Sequence, residues 1–261
     1  MTKLALHGGT PVFSEAPKSV PTWPPVYPET AEKLKELYLS GKWSFYGPQE
    51  VLFSEKFAEF TGAKHSIFMF NGTVTLECAL KAFEIGPGDE VIVPAHSWLA
   101  TGSAVASVGA LPVMVDIESD TLCINPAAFE AAITANTKAV IPVHLFGSMA
   151  DMDKICEIAK KHNLKIIEDC AHAHNGYWDG KHLGTIGDVG SFSFQESKLL
   201  PCGEGGACTT NDSHLADLIG RLSHIGYARG AKQGEQGDPP PIGLPCENYR
   251  ATDFQAIILL E

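Results

Sequence analysis

The sequence lacks a long apolar run, a CxxC pair and a basic stretch, and each absence excludes a class of protein. No segment approaches the ~20 apolar residues that cross a bilayer, and the N-terminal MTKLALHGGTPVF has no signal-peptide core. With 19 Lys+Arg against 31 Asp+Glu, the net charge of −12 disfavours nucleic acid and anionic membranes as partners. We therefore expect a soluble, unexported protein.

Seven cysteines are present, an odd number without motif spacing. This argues against a disulfide framework and a zinc knuckle, and favours reduced thiols in the cytoplasm. A hydrophobic content of 44% with only 19% charged residues predicts a globular chain with a buried core.

Residues 1–28 are rich in proline, which predicts an extended N-terminal arm, and the length of the chain fits one large α/β domain or two small ones. Two helices follow the arm, the first running from Glu29 to a glycine stop at Gly41 and the second over Gln49–Phe60. Short apolar strands then alternate with helices. The predicted strands are Ser66–Phe70, Glu90–Pro94, Pro112–Asp116, Lys138–Val143 and Lys165–Asp169. The predicted helices between them are Thr73–Glu84, Ser97–Val108, Pro126–Ile133 and Asp151–Lys161.

Nearly all-apolar strands separated by amphipathic helices indicate an α/β fold with a mainly parallel sheet covered on both faces. After Asp169 the rhythm changes, because Val189–Phe194 and Gly206–Thr210 are joined by a loop too short for a full helix. This change predicts a mixed region of the sheet. The Gly/Pro-rich segment Ala231–Pro245 predicts a mobile loop.

Ligands of open α/β sheets bind beyond the carboxyl ends of the strands, so the residues that follow each strand are candidates for a site. These candidates are Asn71-Gly72-Thr73, Ala95-His96-Ser97-Trp98, His144-Leu145-Phe146-Gly147, Asp169-Cys170-Ala171-His172 and Gln195-Glu196-Ser197-Lys198. Together they place a possible phosphate site, an aromatic side chain, an acid, histidines and an amine along the edge of the sheet where the parallel strands end, which we call the rim.

Asn71-Gly72-Thr73 ends a strand and opens a helix, where backbone N–H groups and the helix dipole favour a phosphate. Taken alone, these residues favour an ordinary helix N-cap and tight turn over a phosphate site.

Asp169 either caps the next turn or holds a cationic ligand nitrogen. Cys170, His172 and His174 follow with period two and could present three metal ligands on one face of an extended segment. Their spacing matches no standard zinc signature, so a metal-dependent hydrolase is the weaker hypothesis, and we expect no metal.

Lys198 lies between an apolar strand and a Gly-rich turn, where a lysine loses its proton more readily and becomes nucleophilic. A pyridoxal phosphate enzyme requires an amine, an acid that pairs with the pyridinium nitrogen, an aromatic side chain that stacks on the cofactor and a site for its phosphate.

The chain resembles the DegT/DnrJ/StrS family of sugar and cyclitol aminotransferases. The segments that carry the resemblance, in order, are GGTPV, GKWSFYGP, FNGTVTLECAL, GDEVIVPAHSWLAT, GALPVMVDIESDTLCINP, TKAVIPVHLFGSMADMD, IIEDCAHAHN and FSFQESKLLPCGEGG. The resemblance implies the type I pyridoxal phosphate aminotransferase fold, a three-layer αβα sandwich, with pyridoxal 5′-phosphate as cofactor.

Position by position, the resemblance implies a Schiff base at Lys198 and an Asp169 carboxylate paired with the pyridine nitrogen. Trp98 would stack on the ring, and His172 would lie near the ring hydroxyl or support Asp169. The phosphate would be bound by Gly72, Thr73, the Val74 amide and Ser193. Asn248 would reach the cofactor phosphate of a neighbouring subunit, so that a homodimer would share its active sites.

Relatives that dehydrate rather than transaminate carry His at the position of Lys198, so the lysine favours amino transfer. The implied donor is glutamate or glutamine. The implied acceptor is a keto-cyclitol, a precursor of aminohydroxybenzoate or a nucleotide-linked keto-sugar.

The resemblance also implies that residues 29–261 are a large cofactor-binding domain. Family members continue past the helix near Thr252 into a smaller C-terminal domain, and we expect that the present chain is truncated before it. A non-catalytic regulatory or cofactor-binding role therefore stays open beside the aminotransferase and hydrolase hypotheses.

Overall fold

A seven-stranded sheet forms the centre of the computed structural model, which describes residues 3–11, 13, 15, 22–43, 46–229 and 242–261. Its strands, in spatial order, are β1 (His65–Met69), β9 (Gly206–Thr210), β8 (Val189–Ser193), β5 (Lys165–Asp169), β4 (Thr137–Val140), β2 (Glu90–Pro94) and β3 (Leu111–Val115). A separate two-stranded hairpin pairs β6 (Tyr177–Trp178) with β7 (Lys181–His182).

Strand directions confirm the predicted mixed sheet. The pairs β2–β3, β2–β4, β4–β5 and β5–β8 are parallel, whereas β9 runs antiparallel to both of its neighbours, β8 and β1. The loop from β8 to β9 contains no helix, so the chain returns directly along the adjacent strand. This is why the alternation of strands and helices ends after β5.

Helices cover both faces of the sheet. Those of the described residues are α1 (Pro28–Ser40), α2 (Pro48–Thr61), α3 (Gly72–Ala82), α4 (Leu99–Ser107), α5 (Pro126–Ala131), α6 (Met152–His162), α7 (Ser213–Leu222) and α8 (Asp253–Leu260). Successive residues of β2 alternate between layers: Val91 and Val93 pack with α3, α4 and α7, while Ile92 packs with α5 and α6. The predicted αβα sandwich is therefore confirmed.

Five phenylalanines fill the core beneath the end of β8, and they fix the strand that leads into the Lys198 loop. Their rings meet mostly edge to face, with centroids 4.7–6.2 Å apart. They are Phe53, Phe57, Phe68, Phe192 and Phe194, and all are buried.

The predicted bounds of Glu90–Pro94, Lys165–Asp169 and Gly206–Thr210 are confirmed at both ends, and the bounds of the other predicted elements differ by at most three residues. The largest correction is β4, which ends at Val140 rather than Val143. Pro142 has no N–H for the ladder, and pairing resumes only as an isolated bridge between Val143 and Asp169. Helix α4 begins at Leu99 rather than Ser97, because Trp98 has the extended φ/ψ of −64°/142°.

The arm and the Gly/Pro-rich loop are described only in part. Residues 3–11 contain a 3₁₀ turn over Ala5–His7, and Leu4 and Leu6 are exposed. The proline-rich residues 16–21 and residues 231–241 of the predicted mobile loop lie outside the described residues. Among the helices of the described ranges, none has the length and hydropathy of a membrane span.

Candidate active site

Asp169 is the buried acid at the carboxyl end of the parallel strands. Its side chain is 7% exposed, and each carboxylate oxygen accepts one hydrogen bond. Thr101 Oγ1 donates to Oδ2 at 3.0 Å, and the Ala171 amide donates to Oδ1 at 3.2 Å. Burial raises the pKa of Asp169, and these two donors partly oppose that increase by stabilising the ionised form.

Lys198 lies half-buried in the turn that follows β8, as predicted from its flanking residues. Its amide donates to the Gln195 carbonyl at 2.8 Å, which closes the turn. Burial lowers the pKa of the Lys198 amine, and the charge of Asp169 opposes part of this decrease. The Trp23 indole donates to the Glu196 carbonyl at 2.9 Å and ties the N-terminal segment to the same turn.

Gly72 and Ser193 meet between the ends of β1 and β8. A Cβ on Gly72 would lie 2.6 Å from Ser193 Cβ, closer than atoms pack, so only glycine allows this approach. Gly206 is equally confined, because its Cβ would lie 2.4 Å from the Asn71 carbonyl carbon. The two glycines make a close-packed cradle beside the N-terminus of α3.

The first turn of α3 is capped by Asn71. Its Oδ1 accepts from the amides of Thr73 and Val74, both at 3.0 Å. The N-cap interpretation of this turn is thus correct for these two amides, and an anion that used them would have to replace the Asn71 oxygen.

His172 lies beside this rim on the turn after Asp169. Its ring stacks on Phe146, with centroids 5.4 Å apart, and its Nδ1 accepts from the Phe146 amide at 3.3 Å. Burial lowers the pKa of His172, the nearby Lys198 charge adds to the effect, and the Asp169 charge opposes it. Within the described part of the chain, no hydrogen bond joins His172 to Asp169, which instead uses Thr101 and Ala171.

A buried pair, His144 and Glu168, holds the loop that carries Phe146. His144 Nδ1 accepts from the Ala150 amide at 3.2 Å, so Nε2 carries the proton and donates to Glu168 at 3.3 Å. The Glu168 carboxylate also accepts from the amides of Gly184, Ile186 and Gly187.

The prediction that Cys170, His172 and His174 present three metal ligands on one face of an extended segment is wrong. Residues 170–174 turn, with the Ala173 amide donating to the Cys170 carbonyl, so the three proposed ligands separate. Cys170 is buried, His172 contacts Phe146, and His174 donates to the Ser193 carbonyl at 2.7 Å. Cys170 does lie near His144 and Glu168, but burial raises the pKa of this thiol well above its usual range.

Trp98 and Asn248 occupy exposed positions. Trp98 immediately precedes α4 at the rim and is 74% exposed. Asn248 pairs with His224 through an isolated bridge on the segment that leads to α8. The structure thus gathers Asp169, Lys198 and His172 at the rim.

Thr101 was not among the predicted site residues, and Ser97 was predicted only as part of the segment that follows β2, without a role of its own. They stand four residues apart, with Ser97 on the loop and Thr101 in the first turn of α4, and their hydroxyl oxygens lie 2.8 Å apart. The sequence signal that could have identified this pair is the presence of two hydroxyl side chains four positions apart, shortly after β2.

Comparisons with known proteins identify similar chains. The model of the DegT/DnrJ/EryC1/StrS aminotransferase family matches residues 26–261. An L-glutamine:2-deoxy-scyllo-inosose aminotransferase from Streptomyces lividus is 40% identical over 99% of this chain and 62% of its own length. The crystal structure of 3-amino-5-hydroxybenzoic acid synthase superposes with a TM-score of 0.86 at 33% identity, over 93% of this chain and 62% of that one. A sugar aminotransferase from Streptococcus pneumoniae in its PMP form gives a TM-score of 0.81 at 30% identity, over 92% of this chain and 64% of that one.

The chain therefore spans about three-fifths of the length of the proteins it matches. The resemblance and the type I aminotransferase fold predicted from the sequence are confirmed, and pyridoxal phosphate is the cofactor of this group of enzymes. By family match and fold together, the chain belongs to the DegT/DnrJ/EryC1/StrS aminotransferases.

Proposed function

We propose that this chain forms the cofactor-binding part of a pyridoxal-phosphate-dependent aminotransferase that acts on a keto-cyclitol or keto-sugar. The observation that carries the proposal is that a buried carboxylate, Asp169, and a half-buried lysine of lowered pKa, Lys198, lie on one rim, where the Asp169 charge acts on the Lys198 amine. Such perturbed groups concentrate at active sites.

The residues at the rim suit the cofactor. The Gly72–Ser193 contact leaves no space for a side chain and lets backbone approach a phosphate at the N-terminus of α3. Thr73 and Val74 offer further amides there once Asn71 is displaced. Asp169 has one donor on each oxygen, so a lone pair remains for a protonated ring nitrogen.

Each group then has a role in our proposal. Bound pyridoxal phosphate supplies an electron sink for the substrate carbanion. Lys198 Nζ would hold the cofactor as a Schiff base and move the proton at the substrate Cα, for which a lowered amine pKa is required. Asp169 would keep the ring nitrogen protonated. His172, held by Phe146, would face the ring hydroxyl, and Trp98 would cover the ring.

Glutamine is the favoured donor and a keto-cyclitol the favoured acceptor, because the Streptomyces lividus relative is named for both. We further propose a cytoplasmic homodimer in which Asn248 reaches the partner's cofactor phosphate. The acidic net charge of −12 fits a small-molecule enzyme that does not bind nucleic acid.

Absorbance titration with pyridoxal phosphate tests the proposal. The wild-type chain should form a visible band that borohydride fixes, and Lys198→Ala should abolish it. Lys160→Ala, which removes an exposed lysine of α6, serves as the control and should leave the band unchanged. Absence of the band in the wild type, or its survival in Lys198→Ala, would contradict the proposal.

Addition of amino donors to the loaded protein separates enzyme from regulator. Glutamine or glutamate should bleach the visible band as the amino group is transferred. A band that forms but responds to no donor would favour the regulatory alternative.

A further inference from the structure

The strongest unassigned feature of the rim is a chain of two hydroxyls that ends on the Asp169 carboxylate. Thr101 is 2% exposed, and its Oγ1 lies 3.0 Å from Asp169 Oδ2 and 2.8 Å from Ser97 Oγ. An ionised carboxylate can only accept, so Thr101 donates to Asp169. The Thr101 oxygen is then free to accept from Ser97, which gives the chain one direction.

Thr101 also connects the acid to the turn that carries Trp98. The Thr101 amide donates to the Trp98 carbonyl at 3.1 Å, while its side chain reaches Asp169. Thr101 therefore links the exposed Trp98 to the buried Asp169 carboxylate. In the proposed function Trp98 would contact the face of the cofactor ring and Asp169 would contact its nitrogen.

We propose that Thr101 is a positioning residue that keeps Asp169 ionised and aimed at the cofactor ring nitrogen, and that Ser97 aligns the Thr101 hydroxyl for this task. The inference rests on the proposed function. Asp169 is buried and has only two protein donors in the described residues, so each donor carries a large part of the stabilisation of its charge.

Other charged or titratable groups also face Asp169. His172 lies on the following turn, His144 on the loop after β4 and Lys198 on the loop after β8. Glu168 precedes it on β5, and Cys170 follows it directly after the strand ends. All of these remain when Thr101 is changed, so a difference between variants reports on the hydroxyl alone.

The test compares Thr101→Val, which keeps the shape and removes the hydroxyl, with Thr101→Ser, which keeps the hydroxyl. Pyridoxal phosphate affinity should fall about tenfold in Thr101→Val, as expected for loss of one hydrogen bond to a charged group, and should be largely restored in Thr101→Ser. Ser97→Ala should weaken affinity by about two- to threefold. The control, Ser103→Ala, removes an exposed hydroxyl from the same helix and should have no effect.

A pH series distinguishes positioning from simple packing. Cofactor affinity requires ionised Asp169, so affinity falls as pH decreases through the pKa of this carboxyl. Loss of the Thr101 hydroxyl raises that pKa, and the acid limb of affinity should begin at higher pH in Thr101→Val than in Thr101→Ser. In an Asp169→Asn background, Thr101→Val should cause little further loss.

The outcomes separate the two proposals. If the wild type shows no Lys198-dependent band, the proposed function itself fails. If the wild type binds cofactor but Thr101→Val and Ser97→Ala match Ser103→Ala in affinity and pH profile, only the role of Thr101 is overturned. Should Thr101→Val fail to fold by circular dichroism, Ser97→Ala decides, because Ser97 lies at the more accessible end of the hydroxyl chain.

Discussion

Replacement of Glu50 by glutamine should remove a loss of stability that the wild-type chain undergoes as pH rises from 4.5 to about 7. Glu50 lies in the first turn of α2, is 3% exposed, and faces Asp253 of the first turn of α8, which is fully buried. Asp253 Oδ1 accepts from the Glu50 amide at 2.9 Å and so caps α2, whose own N-cap, Gly47, has no side chain to do so. Burial, followed by the Asp253 charge, raises the pKa of Glu50 from 4.5 to about 7.

The magnitude follows from linkage between protonation and folding. Between pH 4.5 and 7 the folded chain retains a proton at Glu50 that the unfolded chain has released, so the free energy of unfolding falls as pH rises. A pKa of about 7 against 4.5 corresponds to about 3 kcal/mol, fully expressed above pH 7. Glu50→Gln removes this dependence and should exceed the wild type in stability by up to ~3 kcal/mol at pH 8.

Urea unfolding followed by circular dichroism at pH 5, 6, 7 and 8 measures the effect. Glu55→Gln, an exposed glutamate of the same helix, is the matched control and should track the wild type at every pH. The reasoning is refuted if the difference between Glu50→Gln and the wild type stays constant across this range, or if Glu55→Gln shows the same divergence.

Two further predictions concern the rim. Gly72→Ala should separate α3 from β8, because the new Cβ would lie 2.6 Å from Ser193 Cβ, and we expect a loss of about 1–3 kcal/mol in unfolding free energy and weaker cofactor binding. Gly102→Ala, where nothing lies within 4 Å, should instead be neutral or slightly stabilising; equal melting temperatures for the two variants would disprove the close-contact explanation. The rate of cofactor attachment should increase with pH through a midpoint below the ~10.4 of a solvated lysine, since burial lowers the pKa of Lys198 and only the neutral amine reacts. Stopped-flow absorbance at pH 7–11 measures this midpoint, and a value at or above that of a solvated lysine would contradict it.

The sequence predicts the sheet and the rim because both depend on short-range patterns. Apolar runs between amphipathic helices identify the strands, and the rule that ligands bind beyond their carboxyl ends selects Asp169 and Lys198 without any contact information. Helix α7 is absent from the predicted helices, although Leu215, Leu218 and Leu222 repeat at helical spacing.

Contacts between residues far apart in the chain could not be predicted from the sequence. Glu50 and Asp253 are 203 positions apart, and each alone reads as an ordinary acidic residue in the first turn of a helix. Only the packing of α2 on α8 makes them a buried pair with a raised pKa. Likewise Thr101 contacts Asp169 across 68 positions, through the parallel arrangement of β2 and β5 on either side of β4.

The turn after β1 shows why two interpretations of one motif need not exclude each other. Its amides at Thr73 and Val74 are the donors that either a cap or a phosphate would use, and Asn71 Oδ1 occupies both at 3.0 Å. A phosphate bound there would replace one acceptor by another, so its net gain is the difference between a charged and a neutral hydrogen bond rather than the whole bond. The helix dipole and the Gly72–Ser193 approach favour the charged acceptor, whereas the cap holds the first turn in place beforehand. The same asparagine that makes the motif read as a simple helix start thus preorganises the proposed anion site.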